Sequence, residues 1–162
     1  MTLANPGGEK NPMAFQIRQA SLGDLAILVS FTLAEAQEAE GIERSAVTVR
    51  EGVRAGLEDP AVATYWLMES PDFSVVGSIS AVREWSDWNA GYYWWIQSVY
   101  IKPEFRGRGL LKPLIEAVRE EAKRHGALEL RLYAHRSNER ALSAYRREGF
   151  REMPYQVMGL EL

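Results

Sequence analysis

The stretch that most narrows what this chain folds into is residues 92–125. Residues 92–101 are rich in aromatic and β-branched side chains, which predicts a strand. Residues 109–125 carry Leu111, Leu114, Ile115, Val118 and Ala122 at helical spacing, which predicts an amphipathic helix. Between them lies Lys102-Pro103-Glu104-Phe105-Arg106-Gly107-Arg108. A strand that feeds a helix in this way predicts a further strand pairing in parallel across the helix. Gly107 and Gly109 let the backbone turn sharply and approach a ligand closely. The first N–H groups of a helix are unpaired and lie at the positive end of its dipole. Arg106 and Arg108 add charge there, so the turn has the make-up of a phosphate or pyrophosphate cradle. Pro113 sits in the first helical turn, where a missing N–H costs little. For a lone Gly-x-Gly, a tight turn with solvated arginines is the more common reading. It is not a Walker loop, because no Gly-Lys-Ser/Thr follows, and the third glycine of a dinucleotide fingerprint is absent.

The remaining periodicities give a simple order. Residues 1–12, rich in Gly, Pro and Asn, read as a flexible tail, and 13–162 as a single domain. Residues 15–18 alternate and predict a short strand. Ser21 to Asp24 has the form of a capping box, after which Leu25, Leu28, Val29, Leu33 and Ala36 recur at helical spacing up to Gly41. A second helix is expected over 48–57, stopped by Asp59-Pro60. Residues 63–69 and 73–83 read as strands joined by a turn at Ser70-Pro71-Asp72, and 84–91 as a polar, aromatic loop. A strand over 129–134, a helix over 138–148 capped by Asn138 and closed by Gly149, and an alternating strand over 155–162 follow.

Composition removes several functions. The net charge of −3 lacks the basic balance of a general nucleic-acid binder. No apolar run approaches the ~18 residues that a membrane-crossing helix requires. The chain has no cysteine, which excludes a disulfide framework, a thiolate zinc site and a cysteine nucleophile. His125 and His135 have no companions at metal spacing, so both read as structural or solvated and no metal is expected. The opening residues lack a basic segment followed by an apolar one, so a cytoplasmic location is expected.

A second pattern is Asn138-x-x-Ala141-x-x-x-Tyr145-x-x-x-Gly149-Phe150. Ala141 and Tyr145 are four apart and share a helix face, where the phenol can meet a ligand lying between two strands. Alone, such a tyrosine is more often core. In order and spacing, Val99-Tyr100-Ile101-x-Pro103 with Arg106-x-x-Gly109, followed by the Asn138–Phe150 pattern, resembles the GNAT superfamily of N-acetyltransferases. Ile17-Arg18-x-Ala20-x-x-x-Asp24-Leu25 is similar to that family's first strand and helix. The resemblance covers residues 15–162. It implies an α/β fold with a mixed, mostly antiparallel sheet of about six to seven strands flanked by about four helices. It also implies acetyl-CoA as cosubstrate and an amine-bearing acceptor. Val99, Tyr100 and Ile101 should line the pantetheine arm, with the backbone of Val99 and Ile101 pairing with it. Arg106, Gly107, Arg108, Gly109, Leu110 and Leu111 should hold the pyrophosphate, and Asn138 and Ala141 should lie beside the pantetheine. Tyr145 should act as general acid on the departing thiolate, since a thiol of pKa around 8.5 and a phenol near 10 can exchange a proton. The family's turn usually closes on Gly or Ala where this chain has Leu111, so the leucine side chain should turn to the core and its N–H to the phosphate.

The acceptor must lose a proton, because an alkyl amine has a pKa near ~10.4. Many relatives carry a glutamate near the position of Gln97, and a glutamine cannot take a proton as a base. A water relay, or a carboxylate such as Glu35, Glu38, Glu84 or Asp87, is therefore expected, and spacing does not rank them. Glu38, Trp85 and Gln97 are the acceptor-side candidates. Trp85, Trp88, Tyr92, Tyr93, Trp94 and Trp95 crowd together, with Tyr93 and Trp95 facing one way and Tyr92 and Trp94 the other. One set should be core, and the other should line an acceptor pocket or a homodimer surface. The alternative to an enzyme is an acyl-CoA-binding module without turnover, which Leu111 and Gln97 favour and Tyr145 opposes.

Overall fold

The computed structural model describes residues 14–162, so the expected tail at 1–12 lies outside the described residues. A short strand, β1 (Gln16–Gln19), leads through a 3₁₀ turn at Leu22–Asp24 into α1 (Leu25–Glu40). Asp24 closes the expected capping box by accepting from the Ser21 N–H at 2.8 Å. It also receives two 2.8 Å bonds from the Arg18 guanidinium, and Arg18 reaches Glu69 at 2.7 Å. The Arg18 bonds hold the Asp24 carboxyl down at about 2, against the opposing effect of partial burial. A carboxylate depressed in the folded state contributes stability above its unfolded pKa, and that contribution disappears as pH falls through the folded value. Urea unfolding of Asp24→Asn is therefore expected to show a deficit against the parent at pH 5 that narrows between pH 4 and pH 2. A deficit that stays constant over that range contradicts the linkage.

Helix α1 ends on Gly41 in the left-handed region (φ 66°), and α2 (Ala46–Glu58) starts on Ser45, whose hydroxyl accepts from the Thr48 N–H. The chain then runs through β2 (Thr64–Glu69), β3 (Val75–Ser86), β4 (Gly91–Ile101), α3 (Leu111–Arg124), β5 (Glu129–Leu132) and α4 (Glu139–Arg147). The strands form one sheet in the order β1-β2-β3-β4-β5, antiparallel except for the parallel β4–β5 pair that α3 connects. Strand alternation divides the core between the two faces. Trp66 and Met68 of β2 join Ile79, Ala81, Trp94, Ile96, Leu114, Ile115 and Val118 beneath α3. Leu67, between them, joins Leu25, Leu28 and Val53 beneath α1 and α2.

Two sequence expectations change. Glu84 to Ser86 continue β3 instead of opening a loop, because Glu84↔Tyr93, Trp85↔Tyr92 and Ser86↔Gly91 extend the cross-strand ladder, and the turn is confined to 87–90. The strand expected over 155–162 does not form, so the sheet has five strands among the described residues, fewer than the six or seven expected. Pro154 directly precedes that segment and Gly159 interrupts it, and alternation alone cannot make a strand that has no ladder partner. No described helix is long and apolar enough to cross a membrane.

Candidate active site

The β4–β5 pairing runs from Tyr93↔Glu129 to Ile96↔Leu132 and stops there, whereas β4 continues to Ile101. The two parallel strands therefore part. At the same point β4 bulges. Ala81 pairs with Ile96 but Ser80 pairs with Ser98, which leaves Gln97 as the extra residue. Gln97 is exposed, and beyond it Ser98, Val99, Tyr100 and Ile101 are half-buried along the parted edge.

At the far end of that edge is the glycine turn. A 3₁₀ turn over Pro103–Phe105 leads to Arg106 in extended backbone, followed by Gly107 (φ 76°) and Gly109 (φ 74°), and α3 starts after Leu110. A Cβ on either glycine would meet no atom within 4 Å, so that side of the turn is open. No side chain caps α3, which leaves its first N–H groups directed at the opening. Leu111 packs against the core beneath α3, which keeps its larger side chain out of the cradle. Both arginine side chains brace the turn. Arg106 Nε donates to Ile101 O at 2.7 Å and its guanidinium pairs with Glu38 at 2.7 Å, while Arg108 donates to Glu104 O at 3.0 Å. Glu38 therefore binds the cradle, and it also accepts from the Tyr100 hydroxyl at 3.5 Å.

Helix α4 supplies the second pattern. Asn138 caps it by accepting from the Ala141 N–H at 3.1 Å. Tyr145 packs edge-on against Phe150 and borders the core beneath α3. Burial, followed by the nearby charge of Glu35, pushes its phenol up to about 12, so it is protonated at neutral pH.

Glu35 stands out among the carboxylates. It projects from α1 to the bulge, where its Oε1 accepts the Val99 N–H at 3.0 Å, beside the Ser98 hydroxyl. Burial raises it to about 7, against the opposing pull of those two groups. Glu84 instead holds the Trp95 indole N–H at 2.5 Å near the hairpin end, and Asp87 lies in the exposed turn. Trp85 is more than half exposed and packs edge-on against Tyr92 near that turn, away from the parted edge. Of the aromatic sets, Trp94 is core, whereas Trp95 stacks on Tyr133 and Arg131 lies 3.5 Å over the Tyr93 ring. Ser98 and the buried Ser80 hydroxyl were not legible as site groups, since nothing in the sequence marks a bulge at Gln97.

The Acetyltransferase (GNAT) family matches residues 27–150. A thialysine N-epsilon-acetyltransferase of Bos taurus is 33% identical over 79 residues, which is 49% of this chain and 46% of that protein. The chain thus matches about half the length of that curated relative. A solved structure of a possible acetyltransferase from Clostridium difficile 630 is 30% identical, with a TM-score of 0.84 over 91% of this chain and 97% of that one. A predicted acetyltransferase from Clostridium acetobutylicum, solved with acetyl-CoA, shares the fold at 19% identity, with a TM-score of 0.76 over 91% of this chain and 96% of that one. A parted parallel strand pair, an uncapped helix behind a glycine turn and a half-buried tyrosine on α4 are thus found in a chain that belongs to the GNAT acetyltransferase family.

Proposed function

We propose that this protein transfers the acetyl group of acetyl-CoA to a primary amine, with Tyr145 as the acid that protonates the departing thiolate. The observation that carries this reading is the alignment of three features along one edge. These are the open N-terminus of α3 behind two left-handed glycines, the stretch of β4 from Gln97 to Ile101 beyond its pairing with β5, and the half-buried Tyr145 on α4. The residues present fit acetyl-CoA. The N–H groups of Gly107, Gly109, Leu110 and Leu111 suit the pyrophosphate. The edge of β4 suits a pantetheine arm, which carries amides that pair with a strand. Asn138, Ala141 and Tyr145 close the other side. Ile101 O has a second lone pair to share beside its bond from Arg106, but the Val99 N–H has one hydrogen and already gives it to Glu35.

The chemistry asks three things of the chain. An N–H donor must polarise the thioester carbonyl, for which Val99 is positioned. A base must take a proton from the acceptor ammonium. An acid must protonate the thiolate, and Tyr145 keeps its proton for this at neutral pH. The relative's name suggests a lysine-like side-chain amine as acceptor class.

Calorimetric titration tests the cleft without knowledge of the acceptor. Acetyl-CoA and CoA are expected to bind saturably, and ATP, which lacks the pantetheine arm, is not. Failure of acetyl-CoA to bind removes the reading. Binding of ATP as tightly as CoA reduces the site to a phosphate cradle.

A further inference from the structure

We propose that Glu35 is the general base of this site, released for that work when the acetyl group takes over the Val99 N–H. The inference rests on the acetyl-transfer reading and assigns the group which that reading leaves open.

The geometry has three parts. First, Glu35 reaches the β4 bulge from α1, on the opposite side of the parted edge from α4, and Tyr145 feels its charge from there. A base and an acid thus flank the stretch of β4 where the thioester would lie. Second, Glu35 is the described carboxylate placed to act there. Glu38 is bound to Arg106, Glu84 holds Trp95 near the hairpin end, and Asp87 is in the exposed turn. The groups that face Glu35 are Glu40 on its own helix, Ser98 on β4 and Tyr145 on α4, and among the described residues no lysine or arginine pairs with it. Ser80 pairs with Ser98 across the ladder and turns a buried hydroxyl without a described partner to the same face. Third, the Val99 N–H serves one acceptor at a time. A thioester carbonyl polarised by that N–H displaces the Glu35 carboxylate. The carboxylate then loses a bond that favours its charged form and becomes more basic.

The proton balance closes. Glu35 takes the first proton of the acceptor ammonium. The neutral nitrogen forms its bond to the acetyl carbon, the carbon–sulfur bond breaks, and Tyr145 gives its proton to the sulfur. The second nitrogen proton returns to the Tyr145 oxygen, and Glu35 releases its own to solvent. Burial still holds the Tyr145 proton once Glu35 is neutral, but the smaller contribution of the Glu35 charge is gone, so taking the first proton eases the next transfer from Tyr145.

The test has two arms. In protein labelled with 13C at the glutamate carboxyls, the Glu35 resonance is identified by its absence from Glu35→Gln. It is expected to titrate well above the other glutamates, and higher with acetyl-CoA than with CoA. In the second arm, acetylation of L-lysine and thialysine is followed by thiol release between pH 5.5 and 9.5. Glutamine keeps an oxygen for the Val99 N–H, so Glu35→Gln should fold and bind acetyl-CoA as the parent does. It should lower kcat by roughly 10²-fold or more and abolish the rise of kcat/KM near neutral pH, while the rise set by the amine itself persists. Glu35→Asp should restore part of the neutral limb. A parent profile retained in Glu35→Gln, or a Glu35 carboxyl titrating with the exposed glutamates, overturns the role of Glu35 and leaves acetyl transfer standing. A parent protein that binds no acetyl-CoA overturns acetyl transfer and the role of Glu35 with it.

Discussion

Tyr145→Phe is expected to lower kcat by about 10²- to 10⁴-fold, with the affinity for acetyl-CoA almost unchanged. The two effects separate because the ring and the hydroxyl do different things. The ring packs edge-on against Phe150 and borders the core beneath α3, and phenylalanine keeps both contacts. In the proposed reaction the hydroxyl supplies the proton. At a pKa of about 12 the phenol stays protonated across the working range, so the parent should lose no activity from its ionisation up to about pH 9. Parallel loss of kcat and acetyl-CoA affinity would make Tyr145 a binding residue and not an acid. Single-turnover measurement of thiol release, beside calorimetry with acetyl-CoA, decides between them.

Trp94→Ala is expected to be the most damaging substitution for stability. Trp94 is 1% exposed, on the face of β4 that meets α3, where it packs with Ile96, Leu114, Ile115 and Val118. The His125 ring lies 5.6 Å from it and the Arg83 guanidinium 4.8 Å over it. Removing a buried indole costs about 3–5 kcal/mol, because the cavity closes only in part. For a chain of this size that is a fall of roughly 6–20 °C in melting temperature. Trp85→Ala is the matched control, since Trp85 is more than half exposed and should shift stability by less than ~0.5 kcal/mol. Equal losses in the two variants would place the core wrongly.

Most elements were legible because their signals are local. The capping box at Ser21 and Asp24, Gly41 after α1, Asn138 before α4, and the strand–glycine–helix run each depend on neighbours within a few residues. The extension of β3 to Ser86 and the absence of a strand over 155–162 were not legible. Each depends on whether a distant strand offers a ladder, and composition does not state that. In the site, the turn at Gly107 and Gly109 could be read from spacing, whereas Tyr145 was singled out by the family resemblance, since its spacing alone fits a core residue as well. Glu35 could only be named beside Glu38, Glu84 and Asp87, four acidic residues with the same local credentials. Tertiary placement separates them. Glu35 lies under cover at the bulge, Glu38 on an arginine, Glu84 on an indole and Asp87 in solvent. The bulge itself comes from the offset between Ala81↔Ile96 and Ser80↔Ser98, which neither strand declares alone.

Glu35 and Glu38 sit within one turn of α1, and each holds a different end of the cleft. Glu35 holds the bulge through Val99, and Glu38 holds the glycine turn through Arg106. In the proposed reaction, one rigid helical turn therefore gauges the distance between the place where the phosphates are gripped and the place where the amine loses its proton. These two properties cannot drift apart by small independent steps. A change that slides or tilts α1 retunes cosubstrate grip and proton acceptance together, so variants selected for a new acceptor through α1 would bring an altered affinity for CoA with them.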